Sequence, residues 1–354
     1  MSLKDKNILI TGGTGSLGKV LVGRILKGDF GLPEKVIVLS RDEAKQHEMR
    51  IQFMNKSVTT DEVIYENFQR ALEFRIGDVR SYADVCSSLR DVDIVINAAA
   101  LKQVPSCEYF PDQAIETNCY GPINIVRAIR ENNLPISIVV GISTDKACKP
   151  VNVMGMTKSL QEKILTSANI LNNSTRFIAV RYGNVFASRG SVIPLFHDQI
   201  LSGGPVTITV PEMTRFLLSL DQAVDTVMAA IDHAKAGEIF VPRAPSATVL
   251  DIAKVLIGDR EIELIVTGIR PAEKMHEIMV SDEEAPYVQE RGDYYAIGSM
   301  LPELNDNSTY ESSLKSEYSS KNSTIGFDEI KALFEKHNLM IDQVHVKTNS
   351  EFLR

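Results

Sequence analysis

The sequence predicts an α/β fold: a doubly wound parallel (Rossmann) sheet with a smaller C-terminal α/β lobe. Through the first half of the 354 residues, apolar runs of strand length alternate with amphipathic helical stretches. That alternation is typical of a parallel sheet with helices on both faces. After about residue 184 it breaks, and shorter strands mix with helices. We therefore expect a Rossmann domain over residues 1–184, a second lobe over 185–304 with some interleaving of segments, and a flexible segment with a C-terminal helix and tail over 305–354.

The predicted strands of the first half are nearly continuously apolar, as strands covered on both faces should be. They are Asn7–Thr11, Lys35–Leu39, Leu72–Ile76, Asp93–Asn97, Ile136–Ile142 and Arg176–Arg181. Helices are predicted at Ser16–Leu26, Asp42–Met54, Ile115–Asn132 and Val153–Ala168, with a loop insertion at 55–70. The lobe has predicted strands at Val206–Thr209, Gly237–Val241 and Glu261–Val266, and helices at Asp221–Ala234 and Thr248–Ile257. Residues 305–325 are rich in Ser, Asn and Lys and indicate a flexible segment before a helix at Phe327–His337.

Composition restricts the class of protein. Apolar residues make up 44% and charged residues 24% of the chain, the balance of a soluble globular protein. The net charge of −8 argues against general binding of nucleic acid or anionic membranes. The four cysteines form no Cys-x-x-Cys pair, and no histidine or cysteine spacing indicates a metal site. With no apolar run near the ~20 residues of a membrane span and no predicted signal peptide, we expect a cytoplasmic protein without nucleic-acid or membrane partners.

A glycine-rich loop follows the first predicted strand and opens the first predicted helix. It reads Thr-Gly-Gly-Thr-Gly-Ser-Leu-Gly over residues 11–18. Its glycine spacing lets the backbone approach a pyrophosphate at a helix N-terminus. Such a trio also fits a plain strand–helix turn, but its place at the head of a strand–helix series favours a dinucleotide site. The cofactor contacts predicted here are Gly12, Thr14, Gly15, Ser16, Leu17 and Gly18.

The end of the second predicted strand indicates which dinucleotide binds. An NAD site usually has a carboxylate there to hold the ribose hydroxyls, whereas an arginine suits a 2′-phosphate. Ser40 and Arg41 occupy that end and Asp42 follows. We predict NADP rather than NAD; the alternative is an exposed Arg41, with Asp42 holding the ribose of NAD.

Two further strand ends complete the predicted cofactor site. Asp78 and Val79 close the third strand, where a carboxylate can accept a hydrogen bond from an adenine amine. Small residues follow the fourth strand and would let a flat cofactor pass over the sheet edge, although an alanine run is also ordinary core packing. These residues are Ala98, Ala99 and Ala100.

Together these residues resemble the extended short-chain dehydrogenase/reductase family that modifies nucleotide sugars. Within it they are most similar to the 5-inverting UDP-N-acetylglucosamine 4,6-dehydratases of bacterial surface-polysaccharide pathways. The resemblance spans about residues 5–300 and rests on the glycine loop and six further segments. These are Ser-Arg-Asp-Glu (40–43), Gly-Asp-Val-Arg (77–80), Ala-Ala-Ala-Leu-Lys-Gln-Val-Pro (98–105), Ser-Thr-Asp-Lys-Ala (143–147), Arg-Tyr-Gly-Asn-Val (181–185) and Met-Thr-Arg-Phe (213–216). Leu-Lys-Gln-Val-Pro combined with Ser-Thr-Asp-Lys is far more specific than the glycine loop.

One catalytic position departs from the family pattern. The resemblance implies Tyr-x-x-x-Lys, and this chain reads Met-Gly-Met-Thr-Lys from Met154 to Lys158, two positions on one helix face. By resemblance, Lys158 holds the nicotinamide ribose and keeps the site electropositive. Methionine cannot accept a proton, but the capsule-sugar branch of the subfamily also carries it here. The base for the sugar 4-hydroxyl is left open among Thr144, a bound water and a relay through Asp145.

The resemblance also implies the reaction sequence. A hydride leaves carbon 4, Lys146 removes the carbon-5 proton, and Asp145 protonates the departing 6-hydroxyl. Hydride then returns to carbon 6, and carbon 5 is reprotonated from the opposite face. This requires a protonated Asp145 and a neutral Lys146, whereas an ion pair favours the charged forms. We expect a pair that titrates as a unit; the alternative is a salt bridge at a strand end.

The predicted substrate contacts lie mainly beyond residue 180. Arginine binds phosphate oxygens in pairs through its planar fork. Arg215 and Arg270 are therefore expected to hold the diphosphate, while Asn184 would donate to a diphosphate oxygen or an acetamido group and Glu273 would hold the uridine ribose. Taken singly, each also fits an ordinary surface residue.

The remaining contacts are predicted in loops. Ser188, Arg189 and Val192 belong to a polar, glycine-containing loop suited to wrapping the nucleotide. Lys102 could reach the sugar; the alternative is a solvated loop lysine.

The predicted function is NADP-dependent dehydration of UDP-N-acetylglucosamine or a related UDP-sugar, with inversion at carbon 5. The resemblance implies a homo-oligomer, for which a hexamer is one candidate. A 4-epimerase of the same fold is an alternative, although it needs no paired acid and carbon-5 base. A non-catalytic NADP-sensing module that has lost its tyrosine is a third, but the retained Lys158, Asp145 and Lys146 argue against it.

Overall fold

A mixed sheet of nine strands forms the centre of the part of the chain that the structure describes. The structure is a computed structural model and describes residues 3–54, 61–172, 174–186, 192–269, 273–305 and 312–344. The strands are β1 (Asn7–Thr11), β2 (Lys35–Ser40), β3 (Leu72–Ile76), β4 (Ile94–Asn97), β5 (Ile138–Thr144), β6 (Arg176–Tyr182), β7 (Val206–Ile208), β8 (Thr214–Phe216), β9 (Ile239–Pro242), β10 (Ser246–Thr248), β11 (Leu264–Val266), β12 (Ile278–Val280), β13 (Val288–Arg291), β14 (Tyr294–Ile297) and β15 (Tyr318–Ser319).

Helices connect most of these strands. They are α1 (Ser16–Lys27), α2 (Glu43–Met54), α3 (Asp61–Ala71), α4 (Tyr82–Ser88), α5 (Val104–Tyr109), α6 (Pro111–Ile115), α7 (Gly121–Glu131), α8 (Val153–Ser167), α9 (Val192–Leu201), α10 (Leu220–His233), α11 (Val249–Ile257), α12 (Phe327–Lys336) and α13 (Ile341–Val344). A π-helical turn, Glu116–Tyr120, joins α6 to α7, and a 3₁₀ turn, Asp145–Ala147, follows β5.

The order of the central sheet is β13-β14-β9-β6-β5-β4-β1-β2-β3. Strands β1 to β6 and β9 pair in parallel, while β14 and β13 add an antiparallel edge. Strand order reverses between β1 and β4, and in doubly wound sheets ligands bind outside the carboxyl ends at such a point. The predicted fold class is confirmed.

The two faces of the sheet bury separate apolar layers. Along β1, Ile8 and Ile10 belong to a layer with Leu21 of α1 and Val224 of α10. Leu9, between them, belongs to the opposite layer with residues of α4, α7 and α8. Because successive side chains of a strand point to opposite faces, each strand contributes to both layers, which explains its nearly continuous apolar sequence.

A third apolar cluster forms the second lobe. Phe196 of α9, Ile252 of α11 and Phe334 of α12 are all fully buried in it. The lobe therefore combines residues just after β6 with residues near the end of the described chain, so the segments interleave.

The structure corrects several details of the predicted elements. The loop predicted at 55–70 is wrong for its second half, because α3 spans Asp61–Ala71; 55–60 lie outside the described residues. Gly237–Val241, predicted for the lobe, forms β9 (Ile239–Pro242) and joins the central sheet. The single helix predicted at Ile115–Asn132 is broken by the π-helical turn ahead of Pro122, whose ring nitrogen cannot donate to the preceding turn.

Part of the segment expected to be flexible is held by backbone pairing. Tyr318–Ser319 pairs antiparallel with Ile278–Val280. The Ser320 N–H donates to the Glu277 carbonyl at 2.8 Å, and the hydroxyl of Ser246 donates to the Ser320 carbonyl at 2.5 Å. The C-terminal helix predicted at Phe327–His337 is present as α12.

Candidate active site

The glycine loop forms a close turn at the carboxyl end of β1. Gly12 has φ +66°, and a Cβ added there would lie 2.7 Å from the backbone of Ala99. A Cβ added at Gly18 would lie 2.4 Å from Gly13. Gly15 caps α1 without any side-chain hydrogen bond. The loop therefore packs tightly against Ala98 and Ala99 and leaves the amide end of α1 without a side-chain cap, as an anion site requires.

Ser40, Arg41 and Asp42 lie beside this loop with different partners. The hydroxyls of Ser40 and Thr14 are 3.2 Å apart. Asp42 accepts from the Lys45 N–H at 3.0 Å and pairs with the Lys45 ammonium at 2.6 Å. The Arg41 side chain is 57% exposed and lies 3.8 Å from the carboxylate of Asp78. Asp42 is thus engaged by Lys45 at the start of α2, while Ser40 contacts Thr14 of the glycine loop.

Asp78 is held by an arginine that the sequence did not single out. Both of its carboxylate oxygens accept hydrogen bonds from Arg80, including one of 2.6 Å from Nη2. Burial on its own raises the pKa of Asp78, but the hydrogen bonds and charge of Arg80 outweigh it and lower that pKa. Val79 is buried in the apolar layer of α4 and α7. Val79 therefore contributes packing. Asp78 is a carboxylate that is already paired with Arg80.

Buried polar atoms without partners lie at the neighbouring strand ends. Asn97 ends β4 and accepts from the Thr11 hydroxyl at 2.7 Å, yet its Nδ2 has no hydrogen-bond partner. The hydroxyl of Ser143, near the end of β5, is likewise buried without a partner. Unsatisfied buried polar groups are costly. These atoms and the uncapped loop fit a nicotinamide dinucleotide crossing the sheet between β1 and β5.

An acidic and a basic side chain, Asp145 and Lys146, lie side by side directly after β5. Asp145 is fully buried, and its Oδ1 accepts from the Lys146 ammonium at 3.0 Å and from the Thr144 hydroxyl at 2.8 Å. Its other oxygen, Oδ2, is buried without a partner. The pair therefore differs from an exposed salt bridge at a strand end, because its carboxylate is withdrawn from water.

Lys146 also contacts residues of two other segments. Its ammonium donates to Asn184 Oδ1 at 3.0 Å, just after β6, and lies 3.4 Å from Glu277 Oε1, just before β12. Burial alone lowers the pKa of Lys146, but the carboxylates of Asp145 and Glu277 outweigh it and raise that pKa. In the free protein Lys146 is therefore an ammonium ion, not the neutral amine that a base requires.

Met154 and Lys158 occupy adjacent turns of α8. Met154 is buried with Cys107 and Ala114. The Lys158 ammonium donates to the Ile142 carbonyl at 2.5 Å and to Gln161 Oε1 at 2.7 Å. Burial lowers the pKa of Lys158 to about 8. Met154 thus supplies packing alone, while Lys158 is a buried cation next to β5.

The predicted substrate residues fall into two groups. Asn184, Val192 and Arg215 line one small cavity of about 20 Å³. Arg215 is largely buried, and its Nε lies 3.7 Å from Glu277 Oε1. Lys102 instead lines a larger cavity of about 450 Å³ that includes Arg41, on the cofactor side of the site.

The structure leaves part of the predicted substrate loop untested. Ser188, Arg189 and Arg270 lie outside the described residues. Glu273 is described, and its Oε2 is buried without a hydrogen-bond partner.

Sequence reasoning missed Glu277, which lies 3.4 Å from the Lys146 ammonium, and Lys274, whose charge interacts with both Asp145 and Lys146. The Lys274 ammonium donates to the Cys148 carbonyl at 2.6 Å, and burial lowers its pKa. Both residues follow Arg270 and Glu273 in one short polar run, Glu-Lys-Met-His-Glu (273–277). The signal that could have identified these two residues is a run of charged side chains directly before the apolar strand β12.

The described residues contain neither a metal cluster nor a membrane-spanning helix. Among the described residues, no group of three His, Cys, Asp or Glu side chains is arranged to hold a metal ion. Within the same ranges, no helix has the length and apolar character needed to cross a membrane.

Comparisons with known proteins give close relatives. A family model described as "Polysaccharide biosynthesis protein" matches residues 8–299. A "UDP-glucose 4-epimerase" of Rickettsia bellii (strain OSU 85-389) is 44% identical over 298 residues, which cover 83% of each chain. The protein of the same name from Rickettsia canadensis (strain McKiel) is also 44% identical over 298 residues and covers the same share of each chain.

Solved structures share the fold. Pen from Bacillus thuringiensis is 34% identical with a TM-score of 0.82, covering 95% of this chain and 100% of that one. DesIV, a dTDP-glucose 4,6-dehydratase from Streptomyces venezuelae, has a TM-score of 0.64 at 19% identity, over 76% of this chain and 86% of that one; this is a likeness of fold alone. Because the family model spans most of the sequence and the Rickettsia relatives align over a comparable length, this chain belongs to the polysaccharide biosynthesis protein family.

Proposed function

We propose that this protein is an NADP-dependent UDP-N-acetylglucosamine 4,6-dehydratase that inverts carbon 5. Its product would be UDP-2-acetamido-2,6-dideoxy-L-arabino-hexos-4-ulose, a precursor for a surface polysaccharide or glycan. One observation carries the proposal: the buried 3.0 Å contact between Asp145 and Lys146 at the carboxyl end of β5. Removal of water across carbon 5 and carbon 6 needs an acid and a base on adjacent atoms of the sugar, and this pair has both.

The cofactor would be held by the loop and strand ends described above. When bound, it supplies reversible acceptance and donation of hydride. The amide end of α1 would bind its pyrophosphate, and Ser40 with Arg41 would bind a 2′-phosphate, because Asp42 is occupied by Lys45. Lys158, buried beside β5, would hold the nicotinamide ribose.

The acid–base step follows from the number of protons that Asp145 and Lys146 hold together. An ammonium Lys146 and a carboxylate Asp145 hold the same number of protons as an amine and a carboxylic acid. One proton moving across the 3.0 Å contact therefore produces the base and the acid together. Lys146 then takes the carbon-5 proton and Asp145 gives its proton to the departing 6-hydroxyl, which leaves as water. Both groups return to the ion pair found in the free protein.

Thr144 is the described residue best placed to receive the proton of the 4-hydroxyl. Its hydroxyl donates to Asp145 Oδ1 at 2.8 Å. Met154 has no basic atom suited to this role. Because Asp145 receives its proton from Lys146, the proton of the 4-hydroxyl must reach solvent, either through a bound water or by way of Thr144.

Substrate binding would bring the diphosphate to the place where the segment after β6 meets the lobe. Arg215 and Asn184 lie together there, and the Arg215 guanidinium suits a diphosphate; the cavity of about 20 Å³ beside them is too small to hold the substrate itself. Arg270, Ser188, Arg189 and Glu273 remain candidates for the nucleotide, and Lys102 for the sugar, as the sequence indicates.

Exposed apolar side chains support the expected homo-oligomer. Tyr109 is 81% exposed, Phe110 59% and Leu160 54%, and all lie on or beside α5 and α8. Apolar patches of this kind commonly mark protein–protein contacts.

A 4-epimerase is the second candidate, because the Rickettsia relatives carry the name UDP-glucose 4-epimerase. An epimerase needs a base for the 4-hydroxyl and no acid or base for carbons 5 and 6. Both reactions need that base, so Met154 does not separate them; the Asp145–Lys146 pair favours the dehydratase, because an epimerase has no use for it.

Product analysis separates the two candidates. The purified protein is incubated with NADP and UDP-N-acetylglucosamine, or with UDP-glucose in parallel, and the products are identified by mass spectrometry and proton NMR. We expect loss of water and a 4-keto-6-deoxy sugar from UDP-N-acetylglucosamine. Inversion at carbon 4 without loss of water would identify an epimerase instead.

A further inference from the structure

Glu277 is a buried carboxylate between the acid–base pair and the arginine of the substrate cavity. Only 3% of its surface is exposed. Its Oε1 lies 3.4 Å from the Lys146 ammonium and 3.7 Å from Arg215 Nε, while Oε2 has no hydrogen-bond partner. Glu277 is thus the described residue that contacts both Lys146 and Arg215.

The backbone fixes Glu277 in this place. Its N–H donates to the Ser320 hydroxyl at 2.9 Å, and its carbonyl accepts from the Ser320 N–H at 2.8 Å. Ser320 in turn bonds to Thr214, next to Arg215, with 2.6 Å between the two hydroxyl oxygens. The C-terminal segment therefore anchors Glu277 against the strand that carries Arg215.

Stability alone does not account for this carboxylate. Burying a charge costs free energy unless it is fully paired and hydrogen-bonded, and Glu277 leaves one oxygen without a partner. Its two ionic contacts, at 3.4 and 3.7 Å, are longer than the 3.0 Å contact of Asp145 with the same lysine. A residue kept at such a cost, beside a reactive lysine, is a candidate for a functional role.

We propose that Glu277 is a positioning residue for Lys146, holding its ammonium beside Asp145 and linking it to the substrate arginine Arg215. The base role of Lys146 rests on the proposed function, but the link between Glu277 and Lys146 does not. When a diphosphate engages Arg215, it would compete with Glu277 for that guanidinium, so substrate binding and the state of Lys146 are connected through one carboxylate.

The charges around Lys146 set the direction of the expected effect. Asp145 and Glu277 favour its charged form, whereas Arg215, Lys274 and burial disfavour it. Replacing Glu277 with a neutral residue leaves Asp145 as the one carboxylate among these neighbours. The pKa of Lys146 should therefore fall, since the balance shifts towards the neutral amine.

Competitive acetylation of the full-length chain tests this link without requiring turnover. Neutral amines react with acetic anhydride and ammonium ions do not, and the Lys146 side chain is 24% exposed, enough for a small reagent. The labelling of Lys146 is followed against pH by peptide mass spectrometry in the wild type and in Glu277→Gln. We expect the midpoint to fall by about one pH unit or more, which is about tenfold faster labelling at pH values below both midpoints.

A matched substitution controls for loss of any carboxylate. Glu290→Gln removes an exposed carboxylate that pairs with Arg243 on the antiparallel edge, and it should leave the Lys146 midpoint unchanged. An unchanged midpoint in Glu277→Gln, or an equal fall in Glu290→Gln, overturns the proposal. A purely structural role would lower the melting temperature of Glu277→Gln without moving that midpoint.

A second variant covers the case in which Glu277→Gln does not fold. Glu277→Asp keeps the charge but withdraws it by one methylene, so the midpoint should fall by less than in the neutral variant. A midpoint equal to the wild-type value would contradict the proposal. Because acetylation needs no substrate, a failure to find dehydratase products leaves this result interpretable.

Discussion

At the scale of single residues, the site combines a complete acid–base pair with a missing tyrosine. Asp145, Lys146 and Thr144 form one connected group at the end of β5. Met154 lies in apolar packing with Cys107 and Ala114. Under the proposed function, proton transfer runs through the group at β5 and not through position 154.

Removing the acid tests that group. We expect Asp145→Asn to lower kcat for dehydration by about 10²-fold or more, because an amide cannot protonate the departing hydroxyl. Binding of the nucleotide sugar, measured by calorimetry, should change far less. Asp282→Asn is a matched control, since Asp282 forms an exposed pair with Lys149 at 3.0 Å and should retain wild-type kcat. Nearly full turnover in Asp145→Asn would exclude Asp145 as the acid.

A second residue-scale prediction concerns the choice of cofactor. Arg41 is exposed beside Ser40 and is the nearest described cation to the expected 2′-phosphate. Arg41→Ala should weaken NADP⁺ binding about tenfold, because a charge-assisted contact is lost. NAD⁺, which lacks that phosphate, serves as the internal control and should bind almost as before. Fluorescence titration measures both constants, and equal weakening of the two would contradict a phosphate contact.

At the scale of elements, a buried ion network ties β6 to α8 and to the segment before β13. The Arg181 guanidinium is 1% exposed and donates to Glu162 at 2.7 Å and to Glu284 at 2.8 Å. Burial on its own raises the pKa of Glu284, but the charge and hydrogen bonds of Arg181 outweigh it and lower that pKa to about 2. The network thus holds β6, and with it Asn184, against α8 and the segment before β13.

Breaking this network should cost stability in a pH-dependent way. Glu284→Gln removes one partner of a buried pair and should lower the free energy of unfolding by about 3 kcal/mol near neutral pH. Because the folded pKa is depressed, this contribution is present above about pH 4.5 and is lost as the pH falls towards about 2. Denaturant unfolding at several pH values should therefore show a difference from wild type that shrinks on acidification. A difference that grows on acidification would contradict the assignment.

Comparison of the predicted with the observed strands and helices shows what local sequence patterns can and cannot predict. The sequence predicts β1 to β6 within one or two residues, because strands buried on both faces are almost wholly apolar. The prediction missed α3, although Ile64, Phe68 and Ala71 have the i, i+4, i+7 spacing of an amphipathic helix. The antiparallel edge, Val288–Arg291 and Tyr294–Ile297, was missed although Gly292-Asp293 between the strands is a two-residue hairpin signal.

The residues of the candidate site also divide into those that the sequence predicts and those that it does not. Asp145, Lys146 and the glycine loop follow directly from strand ends, which the chain order locates. Glu277 reaches the site only through the fold, because it comes from a segment more than a hundred residues beyond β5. Arg80 lies in the quoted segment Gly-Asp-Val-Arg (77–80), but its pairing with Asp78 is visible only in the structure. Contacts of that range depend on how the lobe folds back, which residue periodicity does not encode.

At the scale of the whole molecule, the lobe depends on the C-terminal part of the chain. Phe334 of α12 is fully buried, and its ring lies 5.7 Å from that of Phe186, just after Asn184. Residues far apart in sequence therefore share the apolar core of the lobe.

Truncation of one of these rings tests that dependence. Phe334→Ala should lower the free energy of unfolding by about 3–5 kcal/mol, because it leaves a cavity in a packed core. Phe327→Ala, at the exposed start of the same helix (45% exposed), should cost under about 1 kcal/mol. Both values come from denaturant unfolding; similar costs for the two variants would mean that α12 does not complete the core of the lobe.

The central claim is that Lys146 and Asp145 carry out elimination across carbons 5 and 6. The most direct test is reaction with UDP-N-acetylglucosamine in deuterated water, with proton NMR of the product at carbon 5. We predict one deuterium at carbon 5, inverted configuration there and loss of water with the wild type, and none of these with Lys146→Met. A product inverted at carbon 4 that retains its carbon-5 proton and its 6-hydroxyl, or unchanged deuterium incorporation in Lys146→Met, would contradict the claim.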